Sequence, residues 1–494
     1  MARKTKEEAA RNLAVEVSPT DKIQLPSGMD VRSAVKALIE IDKQDEMDVR
    51  IHHEFECYPF EGAYALQRAL KARYGWTNNV PTPGFFGPQP PRMVGVDVSL
   101  TEHVQVPWGR ITVPNISGFL ETSGAFKPEG KYVFSLSGVV KQRDKGKVND
   151  LVDLIRYYIE VEGLYKGRAI MVEFPEDPYD ADFTYLPKFI DTGKYTKEDL
   201  ILPDAIQRKM NVSLFGPVEF ANEFRAQGIP LKRGVLLNGK YGVGKTLAST
   251  ILAGLCEKNG WSFLLLQRTK DLKYAIEMAR AYAPCVVFAE DIDRAMDDGR
   301  TEDIDAILNT IDGVESKNTE VMVVLTTNHI DRINPAMLRP GRLDDIILIP
   351  APDASAAERL VRKYSNGLLE SGADLTEAAS KMEGWIPAFI QETVQRAKRA
   401  EVMRAAATGE TAVLTVDALI DEIASMRAQL KYMNQDAPVK LSEMEKAALI
   451  QGTTIANGLK ALAATIGEVV GVQVEAMEHF SDIERELPVT VGTN

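Results

Sequence analysis

The stretch Gly234 to Thr246, GVLLNGKYGVGKT, constrains this chain more than any other part of it. An apolar run, Val235 to Leu237, leads into Gly239-Lys240-Tyr241-Gly242-Val243-Gly244-Lys245-Thr246, which satisfies the phosphate-loop pattern G-x-x-x-x-G-K-[ST] at each fixed position. Glycines at 239, 242 and 244 free the backbone to turn successive N–H groups toward phosphate oxygens. A helix beginning near Lys245 adds the partial positive charge of its N-terminus. Lys245 then supplies a point charge to the outer phosphates, and the Thr246 hydroxyl a ligand to Mg²⁺. The expected phosphate-binding set runs from Gly239 through Leu247, where the helix Leu247 to Leu255 takes over.

A chain of 494 residues is too long for one core and implies two to four domains, at roughly 150 residues each. Apolar content of 45% with 26% charged residues is that of a globular protein. A net charge of −13 offers no overall basic field to a phosphate backbone, so nucleic-acid binding is not indicated. Cys57, Cys256 and Cys285 are far apart and form no C-x-x-C pair, which fits buried free thiols in a reducing compartment. The N-terminus, MARKTKEEAARN, is charged and not followed by an apolar core, and no run approaches ~18 apolar residues. The expectation is a cytoplasmic protein without a membrane span.

Residues 1–28 are polar and read as a flexible arm. Val31, Val35, Leu38 and Ile39 mark one face of a helix, Val49 to Cys57 alternates as a strand, and Ala63, Leu66, Leu70 and Tyr74 return to helical spacing. His52 and His53 are strand neighbours and point to opposite faces, a poor arrangement for one metal ion. A Pro/Gly-rich linker occupies Val80 to Arg92. Met93 to Leu100, Val104 to Val113 and Tyr132 to Val140 then read as strands, Leu151 to Tyr158 as a helix, and Ala169 to Phe174 as a strand. This predicts a separate N-terminal mixed α/β domain over residues 29–195. The acidic, proline-broken stretch Glu176 to Asp182 reads as a solvated loop near its end.

Downstream of the phosphate loop, Cys285 to Ala289 is an apolar run ending in Glu290-Asp291-Ile292-Asp293, where a buried parallel strand delivers carboxylates to Mg²⁺ and the attacking water. Val321 to Leu325 ends in Thr326-Thr327-Asn328, and an amide at such a strand tip orients water without adding charge. Asn334 to Asp344 carries Arg339 and Arg342, three apart beside Pro340 and Gly341.

The ordered set GKYGVGKT, VVFAEDID, LNTIDGV, VVLTTNH and INPAMLRPGRLD resembles the AAA+ ATPases, in the AAA clade that carries the second region of homology. It is most similar to mitochondrial AAA chaperones of the Rieske-protein assembly type. The resemblance covers about Leu200 to Lys431. It implies an α/β P-loop NTPase domain of three αβα layers over 196–351 and an all-helical lid over 352–432, with ATP and Mg²⁺ as cofactors. Lys245 would bind phosphates, Thr246 and Glu290 would serve the metal, Asp291 would activate water and Asn328 would orient it. Arg339 and Arg342 would act as arginine fingers on a neighbouring subunit's nucleotide, which implies a homo-oligomer, usually a hexameric ring.

Three departures stand out. The family usually ends the Walker B strand in Asp then Glu, whereas Glu290 and Asp291 are reversed, leaving the water-activating carboxylate one methylene shorter. Only Arg268 to Lys273 stands where polypeptide-threading members carry an aromatic pore loop; Lys273-Tyr274 could imitate it, but truncation is the favoured reading. Gly384-Trp385-Ile386-Pro387-Ala388 replaces the Gly-rich turn that faces adenine, with Gly384 and Ala388 fitting the pattern. In the tail, residues 433–494, Ile455, Leu459, Leu462, Ile466 and Val469 form a short apolar helical seam. The leading expectation is a ring-forming ATPase that remodels a protein client held by its N-terminal domain. The alternatives are a nucleic-acid remodelling ATPase in replication or packaging, or a slow nucleotide-gated assembly scaffold.

Overall fold

Two kinds of strand pattern in the sequence become two sheets of different build. The computed structural model describes residues 28–75, 78–79, 81, 87–88, 92–127, 130–175, 185–231, 233–293, 320–333 and 343–435. The arm, most of the Pro/Gly-rich linker, the acidic stretch, LNTIDGV, Arg339, Arg342 and the tail seam lie outside the described residues.

The N-terminal half opens with helix α1 (Val31–Asp45), capped by the Asp30 carboxylate on the Arg32 and Ser33 N–H groups. There follow β1 (Asp48–Phe55), α2 (Pro59–Tyr74), β2 (Asn78–Asn79), β3 (Arg92–Asp97), β4 (His103–Thr112), β5 (Gly118–Phe126), β6 (Tyr132–Lys141) and α3 (Lys145–Val161). The strands form an antiparallel sheet in the order β1-β6-β5-β4-β2, with β3 on β4. Helices α2 and α3 pack on it through Leu66, Leu70, Leu151 and Ile155. The face of α1 expected to point inward does not: Val31, Val35 and Ile39 are exposed, while Ala34 and Ile41 are buried. Strand β5 was not legible, because its two glycines and one serine dilute the β-branched signature.

The second sheet adds β7 (Ala169–Val172), β8 (Lys188–Phe189), β9 (Arg233–Asn238), β10 (Ser262–Leu266), β11 (Cys285–Ala289), β12 (Val321–Thr327) and β13 (Asp345–Leu348), in the order β13-β9-β12-β11-β10-β7-β8. It is parallel from β13 through β7, with β8 antiparallel at the edge. Strands β11 and β12 are buried along their whole length, as continuous apolar runs between two helical layers must be. Leu236, Leu264, Val287 and Val323 face the layer holding α8 (Leu272–Ala281). Val235, Phe263, Val286 and Met322 face the layer holding α7 (Lys245–Lys258). The expected αβα sandwich is present. Between β8 and β9 run the short helices α4 (Asp204–Met210), α5 (Gly216–Glu219) and α6 (Ala221–Ala226). The three cysteines are free and buried.

One expectation needs correction. The run Ala169 to Phe174, assigned above to the N-terminal domain, pairs through Ala169–Val172 in parallel with β10, so this strand and Lys188–Phe189 belong to the second sheet. An apolar run reads alike for either sheet, and only its pairing decides. The two halves consequently share one core. The Tyr58 N–H donates to the Tyr282 hydroxyl oxygen at 2.9 Å, and the Tyr282 hydroxyl donates to the carboxylate of Glu61 on α2. The Tyr58 hydroxyl donates to the carbonyls of Tyr185 at 2.7 Å and Glu173 at 3.1 Å.

The lid comprises α9 (Ala354–Ser365), α10 (Thr376–Met382), α11 (Pro387–Thr408) and α12 (Val416–Gln435), which runs on past a boundary between compact units at 423 and 424. Leu360, Leu375, Met382, Ile390, Val394 and Leu419 form its own apolar cluster. Asp353 caps α9, and Pro387 starts α11 where the missing N–H costs nothing. No described helix is long and apolar enough to cross a membrane.

Burial pushes the Glu61 carboxyl up to about 6 from 4.5, against the Tyr282 hydroxyl and the Tyr165 and Leu164 N–H groups, which favour its charged form. A raised carboxyl pKa means that the folded state holds the proton more tightly, so stability falls as pH rises from 4.5 through 6. Glu61→Gln removes that dependence. From pH 4.5 to pH 7 its stability relative to the parent should rise by about 2 kcal/mol in urea unfolding. A constant difference across the range refutes this.

Candidate active site

The site assembles at the carboxyl ends of β9, β11 and β12, the edge where an open parallel sheet receives ligands. Strand β9 ends at Asn238, and the chain turns through Gly239-Lys240-Tyr241-Gly242-Val243-Gly244 into α7. The Gly239 N–H is held by the Thr327 carbonyl at 3.2 Å, which registers the loop against β12. Gly242 and Gly244 take left-handed backbone, with φ of 78° and 107°. A Cβ on Gly242 would sit 3.1 Å from Ile386, and one on Gly244 3.1 Å from Leu200, so both positions disfavour a side chain by conformation and leave little room for one. Val243 is buried beneath the loop, Leu247 packs into the core below α7, and Tyr241 is exposed.

Lys245 is almost wholly buried. Its Nζ donates to Gly239 O at 2.6 Å, Lys240 O at 3.1 Å and Asn328 Oδ1 at 2.7 Å, which occupies all three ammonium hydrogens. The Tyr241 ring lies 5.8 Å away. Burial pushes the ammonium below the usual lysine range, while Asp291, Asp293 and Glu290 oppose that shift. The cation is thus desolvated and flanked by carboxylates, a setting that strengthens its attraction for anionic oxygens.

The Thr246 hydroxyl donates to Glu290 Oε1 at 2.8 Å. A hydroxyl and a carboxylate side by side are the oxygen donors a hard divalent cation takes. Among the described residues no group of three or more His, Cys, Asp or Glu could hold a metal ion. A cation here therefore needs phosphate and water oxygens to complete its shell, as Mg²⁺ normally does. Asn328 Nδ2 donates to Asp291 Oδ1 at 2.8 Å, so Lys245, Asn328 and Asp291 form a continuous hydrogen-bonded row.

Two residues that the sequence reasoning did not assign also act here. Buried Asp293 accepts from the Thr327 hydroxyl at 2.8 Å and from the Asn328 N–H at 3.2 Å, bracing the turn that carries Asn328. Ile386 is the lid-turn side chain that reaches the phosphate loop. Gly384 and Ala388 are exposed, with Gly384 in left-handed backbone and its N–H on the Pro352 carbonyl at 3.0 Å. Asp293 could have been found from its place two residues beyond Asp291; Ile386 carries no polar signal. The lid is further tied down by Arg359, which donates to the Leu202 carbonyl at 2.7 Å and pairs with Asp204 at 3.0 Å.

Tyr274 is half-buried. It lies in a ring cluster with Phe126 at 5.4 Å and Phe174 at 5.7 Å, and Arg268, ahead of it, is bound to Asp271 and the Phe174 carbonyl. The short segment after β10 is therefore packed against the N-terminal half.

Phosphate loop, paired acids, strand-tip amide and helical lid together define a P-loop nucleoside triphosphatase. Residues 235–351 match the family model described as "ATPase family associated with various cellular activities (AAA)", and this segment holds the phosphate loop, both acids and Asn328. The chain is 31% identical over 235 residues to the ATPase family gene 2 protein of Saccharomyces cerevisiae (strain ATCC 204508 / S288c). That alignment takes in 44% of this chain and 30% of the yeast protein, so the chain spans under a third of that relative's length.

Lys245→Ala should weaken MgATP binding at least about tenfold, since a desolvated phosphate contact of this kind is worth a charge-assisted hydrogen bond or more. Titration calorimetry on the full chain reads this directly; parent-like affinity would remove Lys245 from the binding set.

Proposed function

We propose that this chain is a ring-forming AAA+ ATPase that couples ATP hydrolysis to the remodelling or disassembly of a protein partner held by its N-terminal domain. The observation that carries the reading is the row from Lys245 through Asn328 to Asp291, standing beside the Thr246–Glu290 pair. On this reading the triphosphate takes over hydrogen bonds that Lys245 gives to carbonyl and amide oxygens. Mg²⁺, when bound by Thr246 and Glu290, neutralises charge that builds on the phosphates. Asn328 aligns the attacking water and Asp291 accepts its proton. Arg339 and Arg342 act on the nucleotide of the next subunit, which is why a homo-oligomer, expected as a hexamer, is part of the proposal.

The partner-remodelling role draws support from the shared core. A domain joined through Tyr58, Glu61 and Tyr282 is coupled to the helix that leads into β11, and β11 delivers the two acids. Packing of Tyr274 against Phe126 and Phe174 favours a machine that works through its N-terminal domain over one that threads polypeptide. Likeness to the Rieske-assembly chaperones and a cytoplasmic location are part of the same reading.

Asp291→Asn should abolish turnover, by about 100-fold or more, while MgATP binding is kept. Unchanged steady-state hydrolysis refutes the assignment of Asp291. Mass in solution with and without MgATP should show a larger species with nucleotide that Arg342→Ala cannot convert to product. A parent protein of monomer mass under all conditions overturns the ring, and stimulation by DNA with strong salt dependence would favour the nucleic-acid alternative.

A further inference from the structure

Asp291 is one of three non-glycine residues with positive φ among the described residues, at 50°, and it sits where the reaction needs a proton acceptor. Left-handed backbone costs a residue with a Cβ, less for aspartate than for most, and bonds to its backbone from neighbouring groups help to hold it there. The holder is Thr326. Its hydroxyl accepts the Asp291 N–H at 3.0 Å, and its carbonyl accepts the Ile292 N–H at 2.9 Å. One buried residue on β12 thereby fixes the backbone of two successive residues just beyond the end of β11, where the β11–β12 ladder has stopped at Ala289 and Leu325.

We propose that Thr326 is a positioning residue for hydrolysis: its hydroxyl holds Asp291 in the left-handed turn that sets this short carboxylate against Asn328. The inference deepens the reading of Asp291 as the water-activating group and rests on it. Aspartate stands where the family expects glutamate, so side-chain reach is lost; a twisted backbone anchored from the neighbouring strand redirects what reach remains. Without the hydroxyl, the half-buried Asp291 N–H loses this acceptor, and the backbone is free to relax toward ordinary conformations. The carboxylate then leaves its 2.8 Å contact with Asn328. Thr326 itself touches neither Lys245, Thr246 nor Glu290 by any hydrogen bond described, so phosphate and metal binding should survive.

The test uses the full chain, with steady-state MgATP hydrolysis and calorimetric ATP binding on Thr326→Val, Thr326→Ser and Asp291→Asn. Thr326→Val, which keeps the shape and loses the hydroxyl, should lower kcat by on the order of 10- to 100-fold, with KM and ATP affinity within about threefold of the parent. Thr326→Ser, which keeps the hydroxyl, should restore kcat to within about threefold of the parent. If Thr326→Val does not fold, Thr326→Ala against Thr326→Ser makes the same comparison. Parent-like kcat without the hydroxyl, or a serine variant as slow as the valine one, overturns the proposal. Turnover that persists in Asp291→Asn would instead sink the underlying assignment of Asp291, which keeps the two failures apart.

Discussion

A lysine ammonium taken out of water is the constraint around which the nucleotide-binding half is arranged. Lys245 can remain charged at its depth only because three oxygens receive its hydrogens and three carboxylates stand near it. Two of those oxygens come from the phosphate loop itself and the third from the tip of β12, so the charge fastens loop to sheet. The same strand tip holds the Gly239 N–H, the Asp291 N–H and the Asp293 carboxylate. Residues from β9, β11 and β12 are brought to one point, and the site inherits the rigidity of three adjacent buried strands.

The second organising contact lies between the halves of the chain. Tyr58, Glu61 and Tyr282 make a buried hydrogen-bonded chain from α2 to the end of α8, while Tyr274 meets Phe126 edge-on and Phe174 at a tilt. Burial raises the Tyr58 and Tyr282 hydroxyls well above their ordinary range and keeps them neutral donors. Continuity of apolar packing across this junction means that the N-terminal half cannot shift far without disturbing α8 and the strand it leads into. The segment that could have projected as a loop is instead used as mortar.

The lid illustrates a different economy. It has its own apolar cluster, yet it touches the phosphate loop through Ile386 and the segment before α4 through Arg359. Lys363 adds a further tie to Asp199, so these helices are fastened at several points to the compact unit they share, through Ile423, with the sheet.

The phosphate loop, the acids after β11, the amide after β12 and the αβα fold were all legible in the sequence, because each depends on residue types at fixed spacing along one stretch of chain. The order of β13-β9-β12-β11-β10 follows from chain-local apolar runs only once a family resemblance supplies the topology. Other features belong to the tertiary structure alone. Ala169 to Val172 had the composition of a strand for either sheet, and pairing with β10 chose between them. Val31, Val35 and Ile39 had the spacing of a buried face, and packing buried Ala34 and Ile41 instead. Asp293, Thr326 and Ile386 acquire their roles from neighbours 34 to 144 residues away in the chain, as in Asp293 with Thr327 and Gly242 with Ile386. Periodicity and motif report what a residue can do near its own position; which distant backbone it restrains is decided only when strands and helices close on one another.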